Sequence, residues 1–134
     1  MVCVHCGAKT HVINSRLQTR GNQVWRRREC LSCRAVFTTE EAALYEAAWL
    51  VQGPDDALEP FWRDKLMISL YNSLGHRQTA LKDAAALTDT VIKKLILQVE
   101  SGKLWSGTIA QVAQVALNRF DKAASVYYQA RHQA

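Results

Sequence analysis

The chain has 134 residues, 49% of them apolar, and a formal charge of +5. That length suits one domain or a small module joined to a larger one, and the apolar share is enough to build a buried core. No run approaches the roughly 20 apolar residues that span a bilayer, and the N-terminus lacks the pattern of a secretory signal, so a cytoplasmic protein without a membrane partner is expected.

Residues 1–41 read as a metal-stapled unit. They contain all four cysteines, turn signals at Gly7 and Gly21-Asn22, and β-prone runs at residues 11–14, 23–28 and 35–38. About forty residues bury too little surface to fold unaided, so such a unit needs a staple. Cys3-Val4-His5-Cys6 and Cys30-Leu31-Ser32-Cys33 supply it, as two Cys-x-x-Cys knuckles separated by 23 residues. Two-residue spacing points both thiolates of a knuckle at one ion, and the intervening chain is long enough for a hairpin that joins the knuckles. In a reducing compartment this pattern favours one closed, structural Zn²⁺ over a disulfide pair. A redox dithiol would begin a helix in a βαβ unit, and none surrounds either knuckle. His5 is expected at the surface, and His11, His76 and His132 lack the spacing of a second site.

The positive charge is concentrated here. Lys9, Arg16, Arg20, Arg26, Arg27, Arg28 and Arg34 face only Glu29, Glu40 and Glu41. Zinc bound by four thiolates takes two charges back, which leaves a local arginine cluster rather than a generally cationic chain. On a strand, Arg26 and Arg28 face one side and Arg27 the other. Guanidinium groups on a rigid, metal-fixed strand can reach phosphates or a guanine edge, with Arg16 and Arg20 widening the patch. The competing use is a solvated basic face paired with the three glutamates. Trp25 is expected to pack beneath the sheet, with stacking on a base as its alternative.

Residues 42–134 form the second expected domain. Residues 40–52 are apolar and alanine-rich, readable as a strand, a helix or both in turn, and Gly53-Pro54-Asp55-Asp56 is a turn. Three helical patterns follow. Leu66, Met67, Leu70, Tyr71 and Leu74 share one face of the first, which Gly75 stops. The second starts at a Thr79 cap and carries Leu81, Ala84, Leu87, Val91, Leu95 and Val99. The third starts at a Ser106 cap and carries Ile109, Val112, Ala116, Phe120, Ala123 and Tyr127. These stripes are read as core packing. The fold class is α+β, a small β unit followed by a mainly helical domain with a short β cap.

Taken together, the motifs resemble the NrdR family, bacterial transcriptional repressors of ribonucleotide reductase genes built from a zinc ribbon and an ATP-cone. The resemblance rests on Cys3-Val4-His5-Cys6, Val12-Ile13-Asn14-Ser15-Arg16, Arg26-Arg27-Arg28-Glu29-Cys30, Cys33 and Phe37-Thr38-Thr39. Glu59-Pro60-Phe61, Lys65-Leu66 and Ala124-Ser125-Val126-Tyr127 extend it. It implies a homo-oligomer that binds paired boxes in double-stranded promoter DNA, with ATP or dATP as effector. Carried over by position, Arg16, Arg26, Arg27 and Arg28 contact DNA. Leu50, Val51, Glu59, Lys65 and Tyr127 lie at the nucleotide, Lys65 on a phosphate and Tyr127 near the base. The last helical segment is shorter than the family's by a few residues before Ala124-Ser125-Val126-Tyr127, and two further features depart from the family. Gln52 stands where a basic residue is usual, and Gly53-Pro54-Asp55-Asp56 replaces a Lys/Arg-rich turn, so two carboxylates sit where phosphates need positive charge. The alternative function is therefore a zinc-ribbon module that binds DNA or protein through a degenerate cone and senses no nucleotide. No open metal position, nucleophile–base signature or P-loop suggests an enzyme.

Overall fold

The computed structural model of the chain describes residues 1–132, so the last two residues of the expected second domain lie outside the described residues. The chain separates into two compact units, Met1–Ala43 and Leu44–Ala134. It is an α+β protein, with an antiparallel β unit followed by a mainly helical unit that carries a small mixed sheet.

In the first unit, β1 (Thr10–Gln18), β2 (Gln23–Cys30) and β3 (Val36–Ala42) form an antiparallel sheet in sequence order. A short 3₁₀ turn, Thr19–Gly21, joins the first two strands, and Asn22 closes it in the left-handed conformation with φ 49°. β1 runs further than its β-prone core because its polar half pairs residue for residue with β2, from Ser15 opposite Arg26 to Gln18 opposite Gln23. Ladder pairing here overrides local propensity. Among the described residues, Cys3 and Cys30 are the only buried apolar side chains of this unit.

The second unit has its own core. The ambiguous segment becomes both elements in turn, the end of β3, the single helical turn α1 (Tyr45–Ala48), and β4 (Leu50–Gln52). β4 is the centre of a three-stranded sheet, antiparallel to β5 (Leu58–Pro60) and parallel to β6 (Lys103–Trp105). The turn at residues 53–56 closes with the Gly53 N–H donating to the Ala57 carbonyl at 2.9 Å. Four helices follow or flank this sheet: α2 (Arg63–Ser73), α3 (Ala80–Leu95), α4 (Ser106–Phe120) and α5 (Lys122–His132). Val51 and Leu104 turn inward from the strands and join Phe61, Leu70, Val91, Leu95 and Leu117 in one core. Among the described residues, no helix is long and apolar enough to cross a membrane.

The helical expectations are met in part. The third pattern is two helices, broken at Asp121, whose backbone is extended at φ −154°, ψ 109°. The break rotates the buried face, so Ala124, Ser125 and Tyr128 are covered while Ala123 and Tyr127 are exposed, as is Phe120 at the end of α4. Thr79 is the N-cap residue of α3 as expected, although its hydroxyl donates to the Asp83 carboxylate at 2.6 Å and makes no capping bond to a backbone N–H. Ser106 is already the first residue of its helix, with Trp105 at the cap. Leu81 and Tyr71 point to solvent, because a stripe read on spacing alone overshoots the angular width that neighbouring helices cover.

Asp121 is the joint of the bundle. One carboxylate oxygen accepts the Ala124 N–H at 3.0 Å, capping α5. The other accepts from His76 at 3.0 Å and Arg77 at 3.0 Å, which ties the α2–α3 loop to the α4–α5 corner. Arg77 also donates to Asp83 at 2.9 Å and lies over the Phe120 ring at 4.8 Å. The Ala124 N–H, followed by the His76 contact, holds the Asp121 carboxyl well below the usual carboxylate range. A depressed folded pKa stabilises above the ordinary value near 4 and is lost as pH falls below it. Asp121→Ala should therefore lower stability by about 1 kcal/mol or more, the usual cost of a lost N-cap. The gap between variant and wild-type urea midpoints should narrow progressively as pH is taken from about 5 to about 2. A gap that stays constant over that range would show that the carboxylate charge plays no part.

Candidate metal centre and nucleic-acid interface

The metal centre is assembled by two chain reversals of the same form. At the first, Cys3 and Cys6 flank a turn closed by the Gly7 N–H donating to the Cys3 carbonyl at 3.0 Å. The second follows the end of β2, where the Ser32 and Cys33 N–H groups both donate to Cys30 Sγ at 3.4 Å, as the His5 N–H does to Cys3 Sγ at 3.3 Å. Each knuckle ends on a left-handed residue directly after its second cysteine, Gly7 at φ 75° and Arg34 at φ 61°. Glycine takes this conformation freely, whereas Arg34 holds it against steric cost.

All four sulfurs lie within 4.8 Å of one another, with Cys3–Cys33 at 3.7 Å and Cys6–Cys30 at 3.5 Å. A tetrahedron with metal–sulfur bonds of about 2.3 Å has edges of about 3.8 Å, so the donor set fits zinc in size and in softness. The backbone donors already favour one charge, since the Cys33 N–H leads in bringing the Cys30 thiol down to about 6. Cys33 goes the other way, to about 12. The Ala35 N–H pulls it down, but the Cys6 thiol, burial and the remaining cysteines outweigh that pull. Four crowded sulfurs cannot all ionise by themselves; a dication supplies the missing charge. Cys3, Cys6, Cys30 and Cys33 would hold it, and with four thiolates the site is closed, which is a structural and not a catalytic arrangement.

The arginines stand on the sheet that this centre anchors. Arg26 donates to Glu41 at 3.1 Å and Ser15 at 3.4 Å, and Arg28 Nε donates to Thr39 Oγ1 at 3.3 Å. Arg27 projects from the opposite face, as strand alternation requires, and Arg16 lies with it rather than widening the Arg26–Arg28 side. Arg20 is exposed in the 3₁₀ turn. Trp25 does not pack beneath the sheet. It is 46% exposed on the Arg27 face, because nothing in this small unit covers that side.

In the second unit, Val51, Glu59 and Lys65 meet around one cavity of about 270 Å³. Its remaining wall includes Phe61, Ile109, Ala110, Tyr128 and His132. Lys65 Nζ is held by Glu59 at 2.6 Å. His132 stacks on Tyr128 with ring centres 3.9 Å apart, donates through Nδ1 to the Tyr128 carbonyl at 2.8 Å, and accepts from Ser69 at Nε2, 3.1 Å. Two expected residues are absent from the lining. Leu50 alternates away from Val51 and is exposed, and Tyr127 lies beside His76, ring centres 5.9 Å apart. Its neighbour Tyr128 takes the place at the cavity, and burial raises its phenol pKa. Sequence reading missed Tyr128 and His132 because the break at Asp121, which sets their phase, was itself hidden.

A four-cysteine cluster at the end of a three-stranded antiparallel sheet has the form of a zinc ribbon. Residues 1–41 match the family described as transcriptional repressor NrdR-like, N-terminal domain, and the first unit is thus an NrdR-like zinc ribbon.

Metal binding should release protons, so zinc affinity is expected to rise steeply between about pH 6 and about pH 8 in competition with a chromophoric chelator. A flat profile would mean that thiolates are not the ligands. Gly7→Ala meets no atom within 4 Å of its new Cβ, which leaves only the backbone penalty. It should cost about 1–2 kcal/mol of zinc-loaded stability in chemical denaturation. A neutral result would show that residue 7 is free to leave the left-handed region.

Proposed function

We propose that this protein is a DNA-binding transcriptional repressor of ribonucleotide reductase genes. Residues 1–41 would contact double-stranded promoter DNA, and residues 42–134 would act as an ATP-cone-like regulatory and oligomerisation domain. The observation that carries the reading is the coincidence of the family match over residues 1–41 with four thiols gathered to zinc dimensions. A closed metal site makes the ribbon a rigid platform, and the arginines on it supply the positive charge that duplex phosphates attract. The protein acts by binding, in the cytoplasm, and not by catalysis. Paired promoter boxes call for two ribbons at fixed spacing, hence a homo-oligomer.

Regulation by ATP or dATP is supported by the cavity of the second unit. Val51, Phe61 and Ile109 offer apolar walls for a purine, and Lys65 offers a cation for a phosphate once it exchanges Glu59 for the ligand. Nucleotide and DNA would then bias the same assembly, each altering the affinity for the other. One observation favours a second reading, a DNA- or protein-binding module whose cone no longer senses nucleotide. The turn at residues 53–56 is satisfied by its own carboxylates, with Gln52 Nε2 donating to Asp56 at 2.9 Å and the Ala57 N–H to Asp55 at 3.3 Å. A turn built this way repels phosphate.

Fluorescence anisotropy of the host's reductase promoter duplex separates these readings, titrated alone and with ATP or dATP. The repressor reading expects tight binding that falls steeply with salt and shifts with nucleotide. Lys65→Ala should erase the nucleotide effect and leave nucleotide-free DNA affinity unchanged. Tight binding indifferent to nucleotide would establish the second reading, and no preference over random DNA would refute the assignment to these genes.

A further inference from the structure

The ribbon has two sides, and its four candidate arginines are divided equally between them. Residues directly opposite one another in an antiparallel ladder share a face, and faces alternate along each strand. Arg16 pairs with Trp25, and Arg27 pairs with Asn14 on one side and Thr38 on the other. These five side chains therefore stand together, and they line a shallow cavity of about 230 Å³. Arg26 and Arg28 point away from it.

The two sides differ in a way that matters for a polyanion. Arg26 and Arg28 are engaged within the ribbon, and Arg26 would have to give up Glu41 to reach a phosphate. Arg16 and Arg27 have no side-chain hydrogen-bond or ion-pair partner among the described residues, so they can meet a phosphate without breaking an internal contact. Between them lies the exposed indole of Trp25, a large planar surface in a position where burial is not its purpose.

We propose that the ribbon docks on duplex DNA through the Trp25 face, with Arg16 and Arg27 on flanking phosphates and the indole wedged against a partly unstacked base step. This rests on the DNA-binding reading above and adds which side binds and what it does to the duplex. Apolar side chains that project between phosphate-binding cations commonly unstack a step and kink the helix, and pyrimidine–purine steps yield most easily. Asn14 and Thr38, at the edge of the same cavity, can donate to phosphate or base edges.

Two glutamates make the sides distinguishable by gain of binding. Glu40 is the register partner of Trp25 and shares its face, whereas Glu41, one residue on, is on the side of Arg26. If the Trp25 face docks, Glu40→Gln removes a repulsive charge from the interface and tightens binding, and Glu41→Gln has little effect. Docking through the other face would reverse the two, because Glu41→Gln frees Arg26. Tightening cannot be produced by misfolding.

The test uses the zinc-loaded full chain and a labelled mixed-sequence duplex carrying 2-aminopurine at a central pyrimidine–purine step, with the matching single strand as control. Arg16→Ala and Arg27→Ala are each expected to weaken binding and lower the salt slope by about one, with smaller losses for Arg26→Ala and Arg28→Ala. Trp25→Ala should weaken binding about tenfold and abolish the 2-aminopurine brightening while keeping the salt slope, and Trp25→Phe should keep most of both. Zinc content of one per chain confirms that each variant has folded, with Trp25→Thr as a β-compatible substitute if Trp25→Ala loses metal. Losses confined to Arg26 and Arg28, with tightening by Glu41→Gln, would overturn the proposal and leave the DNA reading standing. Unchanged 2-aminopurine emission, or preference for the single strand, would overturn the wedge. Failure of the wild-type chain to bind the duplex at all would overturn both the proposal and the reading beneath it.

Discussion

Four sulfurs within 4.8 Å of one another are an electrostatic problem before they are a structure. Backbone N–H groups lower one thiol, and crowding raises another, so the cluster cannot carry four negative charges without a cation at its centre. The first unit depends on the resolution of that problem. Its buried apolar side chains, among the described residues, are two of the four thiols themselves, so a metal held there would take the place of a hydrophobic core. Binding free energy of about 10–16 kcal/mol, the range for structural zinc, is ample for a sheet of this size and becomes folding free energy directly.

Fixing the knuckles fixes everything presented on the strands. β2 ends at Cys30, so the backbone at Arg26, Arg27 and Arg28, four, three and two residues upstream, would inherit the rigidity of a metal site there. A backbone held this way would lose little further entropy if the arginines on it met phosphates, leaving only the side chains to be ordered. The second unit follows a different logic. Its stability comes from an apolar core shared by a mixed sheet and four helices, and Asp121 ties helix ends together. The same corner sets the phase of α5 and so decides that Tyr128 and His132, and not Tyr127, reach the cavity.

The parts legible in the sequence were those governed by short-range chemistry. Ligand spacing is local, and Cys-x-x-Cys twice over specifies a cluster whatever lies between. Strand parity is equally local, so the opposition of Arg27 to Arg26 and Arg28 could be read directly. The parity of Trp25 was readable too, but its exposure was not, because exposure depends on whether the rest of the unit is large enough to cover a face. The break at Asp121 was concealed by apolar residues that continue at helical spacing across it. The only local signal was an aspartate three residues before Ala124, in cap position. One residue on a helix is about 100°, so that single missed break put Tyr127 on the expected core stripe in place of Tyr128, while the placing of Tyr127 at a nucleotide came from the family resemblance alone.

If zinc is the core of the first unit, then withdrawing it must unfold that unit. The direct test is an amide NMR spectrum of the full chain before and after zinc is removed with a chelator, and again after zinc is restored. The account predicts that resonances of residues 1–43 collapse into the unfolded range on removal and return when about one equivalent of zinc is added back. Dispersed, unchanged resonances from β1, β2 and β3 in the metal-free chain would contradict it, because the sheet would then be stabilised by something other than the four thiolates.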